Sequence, residues 1–294
     1  MISVVILTLN EAANMPRCLA SVAWCDDVLV VDSGSTDGTF EIAIAAGARV
    51  LTRAFDSFAV QRNFAMEEGG FKHGWVLHLD ADEVVPPALA DELQALVNSA
   101  EAGHPVWRVA SRMIFMGQWL RHAGMYPAYQ VRFGRANELR FVDFGHGQRE
   151  VQQAHEVGTL VEPIDHYNFS KGVNDWLARH LRYAAAEAVE LSKSRHQRLR
   201  LIELFSGDRT QRRRALKRLS YRAPFRGLAA FLYVYVGRAG FLDGRAGFNY
   251  CSMYAMYHSF IGLNALELSA DQSGQRAHAG PSNGSDQSGT SARR

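Results

Sequence analysis

The stretch Trp75-Val76-Leu77-His78-Leu79-Asp80-Ala81-Asp82-Glu83 decides the fold. An apolar run with no regular polar alternation is the mark of a strand covered on both faces, as in a parallel sheet. Here the run ends abruptly in three carboxylates. Two runs upstream behave alike: residues 2–9 end in Thr8-Leu9-Asn10-Glu11, and residues 28–31 end in Asp32-Ser33-Gly34-Ser35. Residues 48–52 make a further strand. Helical patterns lie between the strands. One starts at Asn14 with Pro16 in its first turn, one covers residues 40–46 and stops at Gly47, and one covers Phe58–Glu68. After the acidic tip, Pro86-Pro87 opens a helix carrying Leu89, Leu93, Leu96 and Val97. Proline fits a first helical turn because its missing N–H has no partner there. Strand–helix repetition predicts an α/β fold with parallel strands and right-handed crossovers. Ligands of such sheets bind beyond the carboxyl ends of the strands, where these polar tips gather.

Composition narrows the classes. The chain has 294 residues, 47% hydrophobic and 21% charged, enough for a sizeable core. Lysine and arginine total 32 against 30 acids, a net +2, so no nucleic-acid partner is implied. Three cysteines, Cys18, Cys25 and Cys251, make no disulfide framework and have no zinc spacing, which favours a reducing, cytoplasmic setting. The N-terminus has no basic segment ahead of its apolar run, and Glu11 interrupts too soon for a signal peptide. No apolar stretch reaches the length of a spanning helix.

Asp80 and Asp82 flank a turn, so both carboxylates can approach one cation. Hard oxygen ligands suit Mg2+ or Mn2+, and such a cation neutralises a diphosphate leaving group. An acid at a helix start is the alternative reading of the same pair. Asp32 is placed to accept hydrogen bonds from a ligand, with Ser33, Ser35 and Thr36 as further polar groups and Gly34 allowing a tight turn. Loop and cap chemistry explains Asp37 better than Asp32.

Val4-Val5-Ile6-Leu7-Thr8-Leu9-Asn10-Glu11, the segment 32–39 and Leu79-Asp80-Ala81-Asp82-Glu83 resemble, in order and spacing, the family 2 glycosyltransferases of the GT-A fold. Gln61-Arg62-Asn63 and the Trp75 strand are similar to the branch that builds lipopolysaccharide cores and exopolysaccharides. The nucleotide-binding resemblance covers about residues 1–115, and a looser one covers most of the rest. It implies transfer of a sugar from a nucleotide-sugar donor, usually with inversion and a divalent cation. By the same resemblance Asp32 would meet the nucleotide base, and Thr8, Asn10, Glu11, Ser33, Gly34 and Ser35 would line the nucleoside pocket. Asp80 and Asp82 would hold metal and diphosphate, and Arg62 and Asn63 would lie near phosphates or sugar. The absence of a Gln-x-x-Arg-Trp string departs from the processive synthases of the family.

An inverting transfer needs a base. In related transferases a His-Glu pair follows the middle strands, and the equivalent stretch here is His146-Gly147-Gln148-Arg149-Glu150. Glu150 is the first candidate base, with Glu156, next to His155, and Asp143 as rivals. His166 is a further candidate metal ligand. Residues 116–129 and 141–151 read as loops. From Val173 the period is helical, and residues 195–226 mix arginine with Leu, Ile and Phe, a pattern suited to an anionic membrane surface. The expected organisation is a GT-A domain over 1–170, a helical basic-aromatic subdomain over 171–268 and a disordered tail from 269. The expected function is a glycosyltransferase at the inner membrane with a lipid-linked glycan acceptor. Polyprenyl-phosphate glycosyl synthesis and a non-catalytic membrane adaptor are the alternatives.

Overall fold

The computed structural model describes residues 1–99, 103–144, 147–195 and 225–278. In chain order, β1 (Ile2–Thr8), α1 (Met15–Ser21), β2 (Val28–Asp32), α2 (Thr39–Ala45), β3 (Arg49–Thr52), α3 (Phe58–Glu68), β4 (Trp75–Asp80), β5 (Glu83–Val84) and α4 (Pro87–Asn98) come first. They are followed by β6 (Val106–Phe115), β7 (Gln118–Trp119), β8 (Ala128–Arg135), β9 (Phe141–Phe144), β10 (Gly147–Glu150), β11 (Val157–Thr159) and β12 (Ile164–His166). Helices α5 (Val173–Arg195), α6 (Arg226–Leu232) and α7 (Gly244–His278) complete the described chain.

Period-two alternation in β1 explains how both faces of the sheet are covered. Ile2, Val4 and Ile6 pack with Met15 and Cys18 of α1, Ala43 of α2, and Leu89 and Leu93 of α4. Val5 points the other way, into a second core with Leu29, Val31, Val76 and the α3 residues Ala59, Ala65 and Met66. Val4, Val5, Ile6 and Leu77 are fully buried; each such side chain contributes about 1.5–3 kcal/mol relative to exposure.

The strand order is β3-β2-β1-β4-β8-β6-β12-β5, with β7 and β11 pairing β6. Strands β3, β2, β1 and β4 are parallel. β8 inserts antiparallel between β4 and β6, and β12 pairs parallel with β6. The result is the mostly parallel, mixed α/β sheet expected of the GT-A fold. Two stretches read as loops contain strands: β7 folds back on β6, and β9 and β10 form a separate hairpin.

The chain divides into two compact units, and the division differs from that expected of the sequence. The first unit is Met1–Arg179 plus Phe231–Met253, and the second is His180–Ala230 plus the chain from Tyr254 onward. The return of Phe231–Met253 to the first unit has a concrete cause in Asp243, whose buried carboxylate accepts the N–H groups of His122 at 2.9 Å and Ala123 at 2.7 Å. Gln118 donates to the Asp243 carbonyl at 2.8 Å. In the second unit, Ala184, Ala188 and Leu191 of α5 pack with Ile261 and Ala265 of α7. Helix α7 reaches His278, past the expected start of the disordered tail at 269. No proline interrupts it before Pro281, and extending an existing helix is far easier than starting one. Residues 279–294 and most of the arginine-rich segment 195–226 lie outside the described residues.

Candidate functional site

The sheet register sets the tips of β1, β2 and β4 side by side: Thr8 is opposite Asp32, and Leu7 is opposite Asp80. Asp32 is 2% exposed and fully engaged by its own chain. Its Oδ1 accepts the Thr8 hydroxyl at 2.9 Å and the Ser35 hydroxyl, and its Oδ2 accepts the N–H groups of Gly34 at 3.0 Å and Ser35 at 2.8 Å. Gly34 has φ +90°, where an L side chain is strained. Asp32 therefore shapes the β2–α2 loop from beneath. A nucleotide base, the partner expected from the sequence, would have to compete with these internal donors.

The groups beside it lie at the surface. Asn10, at φ +55°, accepts the Thr36 N–H at 2.8 Å and donates its own N–H to Ser35 Oγ at 2.8 Å. Ser33 Oγ accepts Gln61 Nε2 at 2.7 Å. Glu11 binds Lys171 at 2.5 Å and accepts Asn14 Nδ2 at 2.7 Å. Burial raises the Glu11 carboxyl, and the Lys171 and Asn14 bonds only partly oppose it. The β1–α1 and β2–α2 loops are thus locked together before any ligand arrives.

Beyond β4 the two aspartates part company. Asp80 is held by Arg62 of α3 at 2.7 Å and by Arg132 of β8 at 2.5 Å. Arg132 also bonds Glu83 at 2.9 Å, and Glu83 accepts the Asp80 N–H at 2.9 Å. Asp82 instead faces His166, with Nε2 to Oδ1 at 3.3 Å. The antiparallel pairing of β5 and β12 sets His166 opposite Glu83, and the Tyr167 N–H donates to the Asp82 carbonyl at 2.9 Å. Burial alone would lower the His166 pKa, but the charge and hydrogen bond of Asp82, with Glu83 and Asp80 behind it, lift it to about 9. Burial alone would raise the Asp82 carboxyl, but His166 and Arg179 hold it below its ordinary value.

The expected metal triad of Asp80, Asp82 and His166 does not converge, because both Asp80 oxygens are taken by arginines. Among the described residues no group of three or more histidines, cysteines or acids could hold a metal. Asp82 and His166 supply one carboxylate and one imidazole, a donor pair that fits a divalent cation whose other ligands are anionic oxygens or water.

The remaining candidates separate cleanly. Asn63 donates to the Phe141 carbonyl at 2.8 Å and accepts the Phe141 N–H at 3.0 Å, so it latches β9 onto α3. Arg62 is 1% exposed and serves Asp80. Neither has the free, outward position expected of a phosphate or sugar ligand. Glu150 is the cross-strand partner of Phe141 in the latched hairpin and lies on the same hairpin face. Asp143 is exposed on the same hairpin. Glu156 closes a capping box by accepting the Gln153 N–H at 2.7 Å. Gly145 and His146 lie outside the described residues. Arg132, Glu83 and Gln61 were not anticipated as site residues, although a charged residue between Val131 and Phe133 in an apolar strand is the signal that marks Arg132.

Residues 3–146 match the family model described as glycosyl transferase family 2. The lipopolysaccharide core biosynthesis glycosyltransferase LpsC of Rhizobium meliloti (strain 1021) is 32% identical over 168 residues, which cover 55% of this chain and 57% of LpsC. An uncharacterized glycosyltransferase of Rickettsia bellii (strain RML369-C) is 28% identical over 204 residues, 65% of this chain and 68% of that one. The chain thus spans little more than half the length of LpsC. Among solved structures, glucosyl-3-phosphoglycerate synthase from Mycobacterium tuberculosis, in complex with Mn2+, uridine-diphosphate-glucose and phosphoglyceric acid, has a TM-score of 0.37 at 22% identity, over 50% of this chain and 60% of that one. The acidic turn after β4 and the interlocked loops at the tips of β1 and β2 all fall within residues 3–146, the segment that matches glycosyl transferase family 2.

Proposed function

We propose that the strand tips of the first unit bind a nucleotide-sugar and that the protein transfers its sugar to a lipid-anchored glycan, in lipopolysaccharide-core or exopolysaccharide assembly at the cytoplasmic face of an inner membrane. The observation that carries this reading is the Asp82–His166 pair, 3.3 Å apart beside a turn whose other carboxylate is already neutralised by Arg62 and Arg132. The likeness to LpsC supports the acceptor class.

In this reading Asn10, Ser33 and Ser35 border the nucleoside. Asp80, fixed by two arginines, anchors the turn that carries Asp82. Asp82 and His166 would hold Mg2+ or Mn2+, which would supply charge neutralisation for the leaving diphosphate. His166 must surrender its proton to become a ligand. An acceptor hydroxyl oxygen bonds to the anomeric carbon as the sugar–phosphate bond breaks. The nucleoside diphosphate departs with the electron pair, and the hydroxyl proton passes to a carboxylate. Glu150 is our candidate for that carboxylate, because Asp82 lies on the leaving-group side and Glu156 is engaged as a cap.

The test is nucleoside diphosphate release from a panel of nucleotide-sugars, with Mn2+, Mg2+ or chelator. Release should require the cation, and Asp82→Asn should abolish it while the melting temperature holds. Normal metal-independent release by Asp82→Asn would overturn the assignment.

A further inference from the structure

The segment Phe231–Met253 carries an exposed apolar knob. Leu232, Tyr233, Val236, Phe241, Leu242 and Phe248 are each 48–61% exposed. Their aromatic neighbours cluster at the surface. Phe231 stacks on Tyr235 with centroids 5.0 Å apart, and Phe248 meets both edge-on at 6.0 and 5.8 Å. Contiguous exposed apolar surface of this kind marks an interaction site.

The knob is rigidly mounted. Asp243 accepts the N–H groups of His122 and Ala123, and Arg238 donates to the Tyr126 carbonyl at 3.1 Å. Gly240 packs so closely that a Cβ there would lie 2.8 Å from the Val234 carbonyl and 3.3 Å from Ala123 Cβ. A cleft of about 370 Å3 beside it is lined by Phe115, Met116, Phe248 and Met253 among others.

Charge selects the occupant. Asp243 is the single acid in residues 231–253, and it is buried under its two N–H donors. Residues 116–127 contain no acid. The remaining charges of these two segments are Arg121, Arg238 and Arg245, all positive, with Arg121 and Arg245 exposed. Aliphatic and aromatic side chains ringed by arginines, with tyrosine among them, match the boundary between acyl chains and anionic headgroups. No helix among the described residues is long and apolar enough to cross a membrane, so this surface would lie on one leaflet.

We propose that the Leu232–Phe248 knob inserts into the interfacial region of an anionic bilayer, with Arg121, Arg238 and Arg245 bound to headgroup phosphates. This deepens the membrane placement proposed above by naming the surface, and its test reads lipid binding rather than sugar transfer, so failure of either leaves the other standing. The full chain is floated with phosphatidylglycerol-containing vesicles and with pure phosphatidylcholine vesicles. The protein should partition to the anionic vesicles and leave them as salt rises. Phe241→Ser/Leu242→Ser should weaken partition by about tenfold or more. Arg121→Glu/Arg245→Glu, which leaves the six exposed apolar side chains in place, should weaken it by about tenfold or more on anionic vesicles. Val161→Ser, an exposed apolar residue elsewhere, should bind as the parent does. Unchanged partition in both double variants overturns the proposal. So does a parent protein that self-associates through this face, with Phe241→Ser/Leu242→Ser made monomeric and vesicle binding unaltered.

Discussion

Replacing Arg132 by methionine tests whether one guanidinium neutralises the acidic turn. A single nitrogen, Nη2, lies 2.5 Å from Asp80 Oδ2 and 2.9 Å from Glu83 Oε1. The arginine side chain is 2% exposed and that of Glu83 is 1% exposed, so water cannot replace the lost contact. Methionine, shorter than arginine, fills the apolar part of the space but leaves Glu83 without its cation; burial and the Asp80 charge push the Glu83 carboxyl up to about 8, so its charge is stranded above that pH. Asp80, 30% exposed, keeps Arg62 at 2.7 Å. Stranding one member of a buried pair costs about 3–5 kcal/mol, and Glu83 dominates that cost because Asp80 retains a partner and some solvent. Urea unfolding above pH 8, read by tryptophan fluorescence, should show a loss in this range for Arg132→Met, and a smaller one at pH 6, where Glu83 takes up a proton. Adding Glu83→Gln removes the stranded charge and should recover at least about half of it. A loss below about 1 kcal/mol, or a double variant no more stable than Arg132→Met, would refute the reasoning, since an exposed pair behaves that way.

Asp32→Ala should lower stability by about 1–3 kcal/mol, because it removes the acceptor of the buried Thr8 hydroxyl and of the less buried Gly34 and Ser35 donors; a variant of full stability that has lost nucleotide affinity would return Asp32 to direct ligand contact. Glu150→Gln should reduce turnover at saturating substrates by about 10²–10⁴-fold with donor affinity kept, whereas Glu156→Gln should alter local stability and leave turnover near normal. If Asp143→Asn is the inactive variant instead, the base is Asp143. Burial, followed by the nearby Arg226 guanidinium, lowers the His258 pKa from 6.5 to about 4, and Arg226 Nε donates to His258 Nδ1 at 3.1 Å. The unfolded chain therefore binds the extra proton first between these values: the stabilisation is complete above pH 6.5 and is lost as pH falls toward 4. Melting temperatures across that range should slope less for His258→Gln than for the parent, and equal slopes would remove His258 as the cause.

Strands β1, β2 and β4 were legible because apolar runs ending in polar residues state both burial and direction. The acidic turn and His166 were legible as chemistry, and the structure brings His166 to Asp82. What joined them was not legible. Arg132 is 52 positions from Asp80, and β8 reaches it by inserting antiparallel beside β4, an adjacency that sequence order does not encode. The internal partners of Asp32 and Asn63 were not legible for another reason. Side chains that fit a ligand also fit backbone N–H and C=O groups, and here the chain uses them itself. The hairpin of β9 and β10 was read as loop because glycine and charge dominate it. Its pairing is secured from outside, by Asn63.

The position of Asp243 has a consequence for how the protein comes into being. A ribosome delivers the chain at about 5–20 residues per second, so the strands of the first unit emerge well before the residue that clamps residues 122 and 123, 120 or so positions upstream. In the interval the N–H groups of His122 and Ala123 have no Asp243 to satisfy them, and residues 180–230 must leave the exit tunnel before Phe231 can return. The apolar knob therefore appears late, when residues 1–179 have already left the ribosome.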